Sequence, residues 1–261
     1  MIDSAAPTCY TSITTQHKGE NSMKITFLGT SHGVPEANRK CSCIMIEAGE
    51  NIYFVDMGTP VIDELRNRGK SADAVKGVFI THMHGDHTDG LVQFIDLLTW
   101  YFKTPDPVIV LPNPEIEVAI NLWLTGTQAG REKKINYRQT TAGVVYDDGV
   151  LKVTAIPTKH CPGSHAYVLE AEGKTILCTG DLSRPSEDFP YVDKPLDLMI
   201  CESAHFPATD YLPVLDKIDV KKICVTHYSP KRMLSLYQFR DAMAERNQPI
   251  IIATDNLEIN L

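Results

Sequence analysis

The stretch that decides the fold is Thr81-His82-Met83-His84-Gly85-Asp86-His87. It places three imidazoles and a carboxylate close together, and these groups are ligands suited to Zn²⁺, Mn²⁺ and Fe²⁺. The apolar run 78–81 before it predicts a buried strand, and the amphipathic run 90–98 after it predicts a helix. A loop at the carboxyl end of a strand is the usual place for chemistry in an open α/β sheet. The pattern therefore favours a metal site over a surface cluster of histidines.

With this stretch the chain resembles the metallo-β-lactamase superfamily, which spreads further ligands down the chain, and the four candidates here each follow a strand-like run. The runs are 52–55, 151–156, 175–178 and 222–225, and the residues that come after them are Asp56, His160, Asp181 and His227. A lone histidine after a strand is more often structural than a ligand. Five such motifs in one chain reverse that expectation, since their strands could converge on one edge of a sheet sandwich.

The signature His-x-His-x-Asp-His after a strand, with the later motifs in the same order, resembles the metallo-β-lactamase superfamily. The resemblance implies an α/β fold, the four-layer αββα metallo-β-lactamase sandwich, with two divalent metal ions. Zinc is the expected ion, with manganese and iron as alternatives. The resemblance implies that His82, His84 and His160 hold one metal, that Asp86, His87 and His227 hold the other, and that Asp181 bridges them.

Such a pair of ions supplies the chemistry of a hydrolase. Two divalent ions about 3.5–4 Å apart can share a hydroxide and lower the pKa of its parent water toward about 7. Asp86 would ligate one metal and help to position that hydroxide. Asp56 would accept a hydrogen bond from a ligating histidine; the alternative for Asp56 is a residue at a helix N-terminus.

Length and composition indicate one globular domain. The chain has 261 residues, of which 43% are hydrophobic, and no apolar run approaches the roughly 18 residues of a membrane span. Residues 1–22 are rich in serine and threonine and lack the apolar core of a secretory signal. We expect them to be an N-terminal extension of a single hydrolase domain at 23–261.

Cysteine usage points to a reducing compartment. The seven cysteines are odd in number and scattered, several of them inside strand-like runs, so we expect reduced thiols and a cytoplasmic protein. Cys41 and Cys43 form the one close pair, which is a weak zinc signal without a second pair.

The remaining patterns alternate strands with helices. Strands are predicted at 24–28, 43–47, 51–55, 108–111, 196–201, 250–253 and 257–259, with a hairpin at 144–153, and helices at 60–68, 114–124, 209–218 and 231–246. The helical span 91–102 is expected to be core, with a substrate-pocket wall or a homodimer surface as alternatives.

The loop 27–39 is similar to that of the phosphodiesterase branch of the superfamily, which includes ribonuclease Z and the phosphoribosyl cyclic phosphodiesterases. Gly29 and Gly33 would let backbone N–H groups approach an anion, and Ser31, His32 and Arg39 could donate hydrogen bonds to phosphate oxygens. The alternative is an ordinary glycine-rich turn.

The segment 201–206, Cys-Glu-Ser-Ala-His-Phe, resembles the loop that this branch uses for proton transfer. It nominates His205 as the general acid that protonates the leaving alkoxide. Glu202 would orient His205 or act in its place. The alternative for His205 is a structural residue that caps the next helix.

Three observations narrow the range of expected substrates. Short ribonuclease Z proteins carry a long arm between the motifs of His160 and Asp181, but here only 20 residues separate them. The net charge of −8 gives the chain no overall attraction for a polyanion, although it has a local basic cluster of Arg131, Lys133, Lys134 and Arg138. The cysteine-rich zinc loop of the phosphoribosyl phosphodiesterases is not convincingly reproduced either.

These patterns predict a metal-dependent phosphodiesterase that acts on small or cyclic nucleotide-like phosphodiesters, with no membrane partner and with nucleic acid not favoured. The alternatives are a lactonase or thioester hydrolase, a tRNA 3′-processing endonuclease, and a non-catalytic metal-binding sensor.

Overall fold

The computed structural model describes residues 22–126 and 133–261. The predicted extension, apart from Ser22, and Arg131 of the basic cluster lie outside the described residues. The strands are β1 (Lys24–Gly29), β2 (Cys43–Ala48), β3 (Asn51–Val55), β4 (Val75–Phe79), β5 (Val108–Leu111), β6 (Asn136–Gln139), β7 (Gly143–Asp147), β8 (Lys152–Pro157), β9 (His165–Ala171), β10 (Lys174–Cys178), β11 (Leu198–Ser203), β12 (Ile223–Tyr228), β13 (Ile251–Ile252) and β14 (Glu258–Asn260). The helices are α1 (Ile62–Asn67), α2 (Gly85–Trp100), α3 (Pro114–Thr125), α4 (Pro185–Asp188), α5 (Leu212–Leu215) and α6 (Met233–Glu245).

Two mixed sheets pack face to face. The first has the strand order β14-β1-β2-β3-β4-β5-β6 and the second the order β13-β12-β11-β10-β9-β8-β7. β3 to β6 run parallel in the first sheet, and β10 to β13 run parallel in the second. Parallel strands bring their carboxyl ends to one edge, so both sheets can present loops at the same end of the sandwich.

Three apolar layers account for the stability of the sandwich. Phe27, Tyr53 and Phe79 of the first sheet pack between the sheets with side chains of the second, such as Leu169 and Ile200. Burying one large apolar side chain contributes about 1.5–3 kcal/mol. The outer faces are covered by helices, as the predicted αββα sandwich requires.

The helix α2 covers the first sheet with its apolar face. Leu91, Phe94, Ile95 and Leu98 are buried in the outer core there, which confirms the expected core position for the part of the span 91–102 up to Leu98. Trp100 and the following Tyr101 are exposed. On the other side of the molecule, Leu236 and Phe239 of α6 pack on the second sheet.

Some elements differ from the sequence prediction. β6 was not predicted because Asn-Tyr-Arg-Gln is a polar, largely exposed edge strand without an apolar alternation. The predicted helix 209–218 is instead a 3₁₀ turn, Ala208–Tyr211, followed by the short α5. Pro213 explains the break, because it has no N–H to donate to the carbonyl of residue 209.

The strand β12 extends further than predicted and includes a candidate ligand. His227 lies inside the strand with a φ of 44°, a left-handed conformation that is unfavourable for a residue with a Cβ. Residues 202 and 203 likewise belong to the end of β11. Two site residues are therefore held by strand hydrogen bonding rather than by a free loop.

A carboxylate joins the two sheets at the β7–β8 turn. The Tyr53 hydroxyl, from β3, donates to Asp148 Oδ2 at 2.6 Å, and the Tyr146 hydroxyl donates to the same oxygen at 3.0 Å. The other oxygen of Asp148 accepts the backbone N–H groups of residues 150 and 151. Burial would raise the pKa of the Asp148 carboxyl, but these hydrogen bonds hold it below its ordinary value.

We predict that Asp148→Ala lowers the free energy of unfolding by about 2 kcal/mol or more, because it removes the acceptor of the buried Tyr53 hydroxyl and leaves the Tyr146 hydroxyl only the Lys76 carbonyl, 3.4 Å away. Since the folded-state pKa is depressed, the contribution is present above about pH 4 and is lost as the pH falls through the folded-state value. Urea unfolding at neutral and acid pH measures both effects. Asp147→Ala, whose side chain accepts one exposed N–H, is the matched control; an equal loss in both variants would contradict the prediction.

Candidate metal centre

The predicted ligands meet at one end of the sandwich. Asp56 follows β3, the stretch 81–87 follows β4 and leads into α2, His160 comes shortly after β8, Asp181 comes shortly after β10, and His227 is near the end of β12. Gly58 allows the turn after Asp56 to contact the first turn of α2, since a Cβ at Gly58 would lie 1.8 Å from the carbonyl oxygen of Asp86. The strand ends of both sheets therefore contribute to one cluster.

The first group of ligand atoms belongs to His82, His84, His160 and Asp181. His84 Nδ1 lies 2.9 Å from His82 Nε2 and 3.2 Å from His160 Nε2. Asp181 Oδ2 lies 3.6 Å and 3.7 Å from those two Nε2 atoms. Three nitrogens and a carboxylate oxygen that point to a common centre are a suitable set for zinc.

The second group consists of Asp86, His87 and His227. Asp86 Oδ2 lies 3.3 Å from His87 Nε2 and 3.7 Å from His227 Nε2. Asp181 Oδ2 lies 3.5 Å and 3.3 Å from the same nitrogens. Asp181 is therefore shared by both groups, in the arrangement that the resemblance implies for a bridging ligand.

Unpaired buried atoms indicate that the second group suits a cation. His87 Nε2 and Asp181 Oδ1 are buried and have no hydrogen-bond partner among the described residues. Leaving such atoms unpaired costs about 1–3 kcal/mol each, and a bound metal ion would remove that cost. The donor set and its burial fit a divalent ion.

The pKa shifts at the site reflect its burial and the charges of Asp181 and Asp56. Burial, with the neighbouring imidazoles, lowers the pKa of His82 to about 2, so the ring is in the neutral form that binds metals. Burial would raise the pKa of Asp181, but the charges of His227 and His87 lower it well below its ordinary value. Burial also lowers the pKa of His87, yet Asp181 and Asp56 outweigh this and raise it. The carboxylates therefore create a potential that favours positive charge.

Asp56 lies behind the ligands rather than among them. It has a φ of 58°, and its Oδ2 accepts a hydrogen bond from His87 Nδ1 at 2.7 Å. Its Oδ1 accepts the backbone N–H of Thr81 at 2.8 Å. Asp56 is thus placed where it can orient a ligating histidine.

Glu202 and His205 form a fixed pair beside the second group. Glu202 is buried, and its carboxylate accepts the backbone N–H groups of Leu182, Ala204 and His205 at 2.8–3.1 Å. The same carboxylate lies 2.8 Å from His205 Nδ1. Burial lowers the pKa of His205, but Glu202 outweighs this effect and raises it to about 9. The carboxylate of Glu202 therefore contacts three backbone N–H groups and the His205 ring at once.

The loop 30–40 lies against the site, but its three predicted phosphate donors differ in their surroundings. The Ser31 hydroxyl donates to the Val34 carbonyl at 2.8 Å. Arg39 donates to the Thr30 and Tyr228 carbonyls and stacks on the Tyr228 ring at 3.9 Å. His32 Nε2 lies 3.6 Å from a carboxylate oxygen of Glu36. Ser31 and Arg39 therefore shape the loop, and a Cβ at Gly33 would lie 3.7 Å from Asp86 Oδ2.

Several supporting residues were not found from the sequence. Asp255 accepts the Thr30 hydroxyl and the Lys40 backbone N–H, both at 2.7 Å, and so joins the two ends of the loop 30–40. Arg232 donates to the carbonyls of Ala204 and His205. Thr81 contacts both Asp56 and His82. No motif marks these supporting roles, because each depends on contacts distant in sequence or on one hydroxyl.

The family model of the anti-Pycsar protein Apyc1 matches residues 23–245. This chain belongs to the Apyc1 family. The match includes every predicted metal ligand and ends before Asp255.

Other proteins are also similar to this Apyc1-family chain. Ribonuclease BN of Cronobacter sakazakii is 30% identical over 156 residues, which are 58% of this chain and 51% of that protein. The chain therefore spans about half the length of that relative. The metallo-beta-lactamase fold protein YhfI from Bacillus subtilis matches with a TM-score of 0.72 at 18% identity, covering 93% of this chain and 100% of that one. Human tRNase Z, short form, matches with a TM-score of 0.70 at 19% identity, covering 90% and 98%.

These similarities confirm the predicted metallo-β-lactamase fold. No helix among the described residues is long and apolar enough to cross a membrane. The described cysteines, which are free, do not occur in either group of metal ligands.

We predict that adding Zn²⁺ to the metal-free protein raises its melting temperature, because a ligand at 1,000 times its Kd stabilises the folded state by about 4 kcal/mol. Asp181→Ala should remove most of that stabilisation and lower the metal content, since Asp181 belongs to both groups. Calorimetry and atomic emission on the same sample measure the two quantities. Asp216→Ala makes the same charge change at an exposed site; wild-type metal content in Asp181→Ala would contradict the assignment.

Proposed function

We propose that this protein is a dinuclear metal-dependent phosphodiesterase that hydrolyses small or cyclic nucleotide-like phosphodiesters. The observation that carries the proposal is the pair of ligand groups joined by Asp181, with His205 directly beside them. His82, His84 and His160 would hold one metal, and Asp86, His87 and His227 the other. The expected ions are Zn²⁺, with Mn²⁺ and Fe²⁺ as alternatives.

The bound ions would supply an activated water and stabilise the charge that develops on the phosphoryl oxygens. The side chains of the protein itself would hold the metal ligands in their orientation. Asp86 and Asp181 fix the centre from the helix side and the sheet side, and Asp56 holds the His87 ring through its Nδ1. These contacts exist before a substrate binds, so little reorganisation is needed during the reaction.

His205 is the proposed proton donor for the leaving group. Its Nδ1 is directed to Glu202, which leaves Nε2 as the ring atom available to a substrate, and its side chain is 37% exposed. The other site histidines are directed at the metal positions. Proton delivery to an alkoxide by such a group typically contributes 10²–10⁴-fold.

The loop 30–40 is the proposed wall of the substrate site. Its backbone lies beside Asp86, and Arg39 and Ser31 stabilise its conformation through the contacts described above. Among the three predicted phosphate-binding residues, His32 has the most exposed side chain, at 23%. We propose that His32 and the loop N–H groups contact the phosphodiester, with Ser31 and Arg39 holding them in place.

A small substrate is favoured by the segment between His160 and Asp181. Its 20 residues are largely taken up by β9 and β10, which pair with each other in the second sheet. An RNA-gripping arm at this place would need an insertion that the segment does not contain. The net charge of −8 also opposes the binding of a long polyanion.

The first test is hydrolysis of bis(p-nitrophenyl) phosphate beside a p-nitrophenyl ester, a thioester and a lactone, with metal content determined on the same sample. We expect phosphodiester turnover with about two metals per chain, followed by turnover of cyclic nucleotides. Turnover of the carbonyl substrates alone would favour the lactonase or thioesterase alternative. Two bound metals with no turnover at all would favour the sensor.

Ribonuclease activity is the second candidate because of the 30% identity to ribonuclease BN. Cleavage of a precursor tRNA with steeply salt-dependent binding would support it, and would count against a small substrate.

A homodimer and a cytoplasmic location stay predictions. The exposed apolar side chains of α3, Val118, Leu122 and Trp123, are candidates for a dimer contact.

We predict that His205→Ala keeps its metals but loses turnover in a manner that depends on the leaving group. The loss should be about 10²–10⁴-fold for alkyl or nucleoside leaving groups, which need a proton, and much smaller for p-nitrophenolate. Steady-state kinetics on a leaving-group series, with metal analysis, measures this difference. A uniform loss over the series would show that His205 acts by positioning alone, and Glu202→Gln should give a weaker version of the same dependence.

A further inference from the structure

The Thr81 hydroxyl connects two of the metal ligands through Asp56. Thr81 Oγ1 lies 3.0 Å from each carboxylate oxygen of Asp56 and 3.1 Å from His82 Nδ1. All three side chains are buried. Because these groups are shielded from water, their hydrogen bonds must be made with protein atoms, and here they contact one another.

The direction of each hydrogen bond follows from the chemistry of the partners. An ionised carboxylate only accepts, so the single Thr81 O–H proton is donated to Asp56. The Thr81 oxygen then has lone pairs left for His82 Nδ1, which must carry the proton. His82 is consequently held in the tautomer whose Nε2 is free to bind a metal.

His87 is held in the same tautomer by the same carboxylate. Its Nδ1 donates directly to Asp56 Oδ2, and its Nε2 lies 3.5 Å from Asp181 Oδ2. The His82 Nε2 lies 3.6 Å from that oxygen. One buried carboxylate thus orients one histidine of each metal group, directly for His87 and through a hydroxyl for His82.

We propose that Thr81 is a positioning residue for the His82, His84 and His160 metal site, and that it relays the orienting effect of Asp56 to His82. The inference rests on the dinuclear centre of the proposed function, although it does not depend on which substrate is hydrolysed. Partners of this kind behind a ligating histidine typically change metal affinity 10–100-fold.

The surroundings of Thr81 allow a matched pair of variants. A Cβ at Gly180 would lie 3.0 Å from Thr81 Cβ and 3.1 Å from its methyl group, so the Thr81 side chain is closely packed against Gly180. Thr81→Val keeps that shape and removes the hydroxyl. Thr81→Ser keeps the hydroxyl and removes the methyl group.

The experiment measures Zn²⁺ affinity by chelator competition in two backgrounds. In His227→Ala, which leaves the first group intact, we expect Thr81→Val to weaken the bound metal about 10-fold or more. In His84→Ala, which leaves the second group intact, Thr81→Val should change the affinity less than about twofold, because His87 contacts Asp56 directly. Thr81→Ser should restore the affinity in the first background.

An equal effect in both backgrounds, or no effect in the first, would overturn the proposal. Thermal unfolding of each metal-free variant shows whether it is folded. A second measurement needs no variant: nitrogen chemical shifts of His82 in the metal-free wild-type protein must show the proton on Nδ1, and a proton on Nε2 would overturn the relay. Neither readout depends on turnover, so an incorrect substrate assignment would not be mistaken for failure of the relay.

Discussion

The buried carboxylate of Asp181 is the constraint on which the site depends. Its Oδ2 lies 3.3–3.7 Å from ring nitrogens of five histidines, His82, His87, His160, His205 and His227. Asp181 follows a strand of the second sheet, whereas the His-x-His-x-Asp-His stretch follows a strand of the first. The charge is buried at the junction between the sheets, where it is stable only if positive charge or hydrogen-bond donors surround it. The fold therefore gathers these groups at the sheet junction, and the charge of Asp181 favours a cation among them.

Direct contacts hold the two sheets in the register that the centre needs. The His165 backbone N–H donates to the Thr81 carbonyl at 2.9 Å, and the Tyr167 hydroxyl donates to the Ile80 carbonyl at 2.8 Å. Both donors belong to β9 of the second sheet, and both acceptors immediately precede the first ligand, His82. A shift of one residue between the sheets would break these bonds and separate Asp181 from the histidines.

The supports around the centre come from separate parts of the chain and serve separate tasks. Asp56 and Thr81 contact the predicted ligands His87 and His82, Glu202 contacts His205, and Asp255 joins the two ends of the loop 30–40. Each support is a carboxylate or hydroxyl whose remaining hydrogen-bonding capacity is largely used by backbone N–H groups or neighbouring side chains. Fixed partners of this kind pre-organise a site, because the ligands need not search for their orientation when the metal or substrate arrives.

The sequence by itself determined the class of fold, and it predicted the seven candidate ligands and a place for Asp56 behind them. Ligand chemistry is local: His82, His84, Asp86 and His87 lie in one loop, and each later ligand follows or ends a strand that its apolar run predicts. Apolar patterns did not predict the polar edge strand β6, the extension of β12 through His227 or the short helix α5. Strand pairing determines the first two, and Pro213 determines the third.

Only the tertiary structure decided how the supporting residues are used. Thr81 has no pattern of its own, yet packing places its one hydroxyl between Asp56 and His82. Arg39 and Ser31 stay predicted phosphate donors, and the fold adds contacts with Tyr228 and Val34 that the sequence did not indicate. The physical reason is that the ability of a residue to bind a metal depends on its side-chain chemistry, which can be read in the sequence. Its hydrogen-bond partners depend on distances between segments far apart in the chain, and those distances exist only after folding.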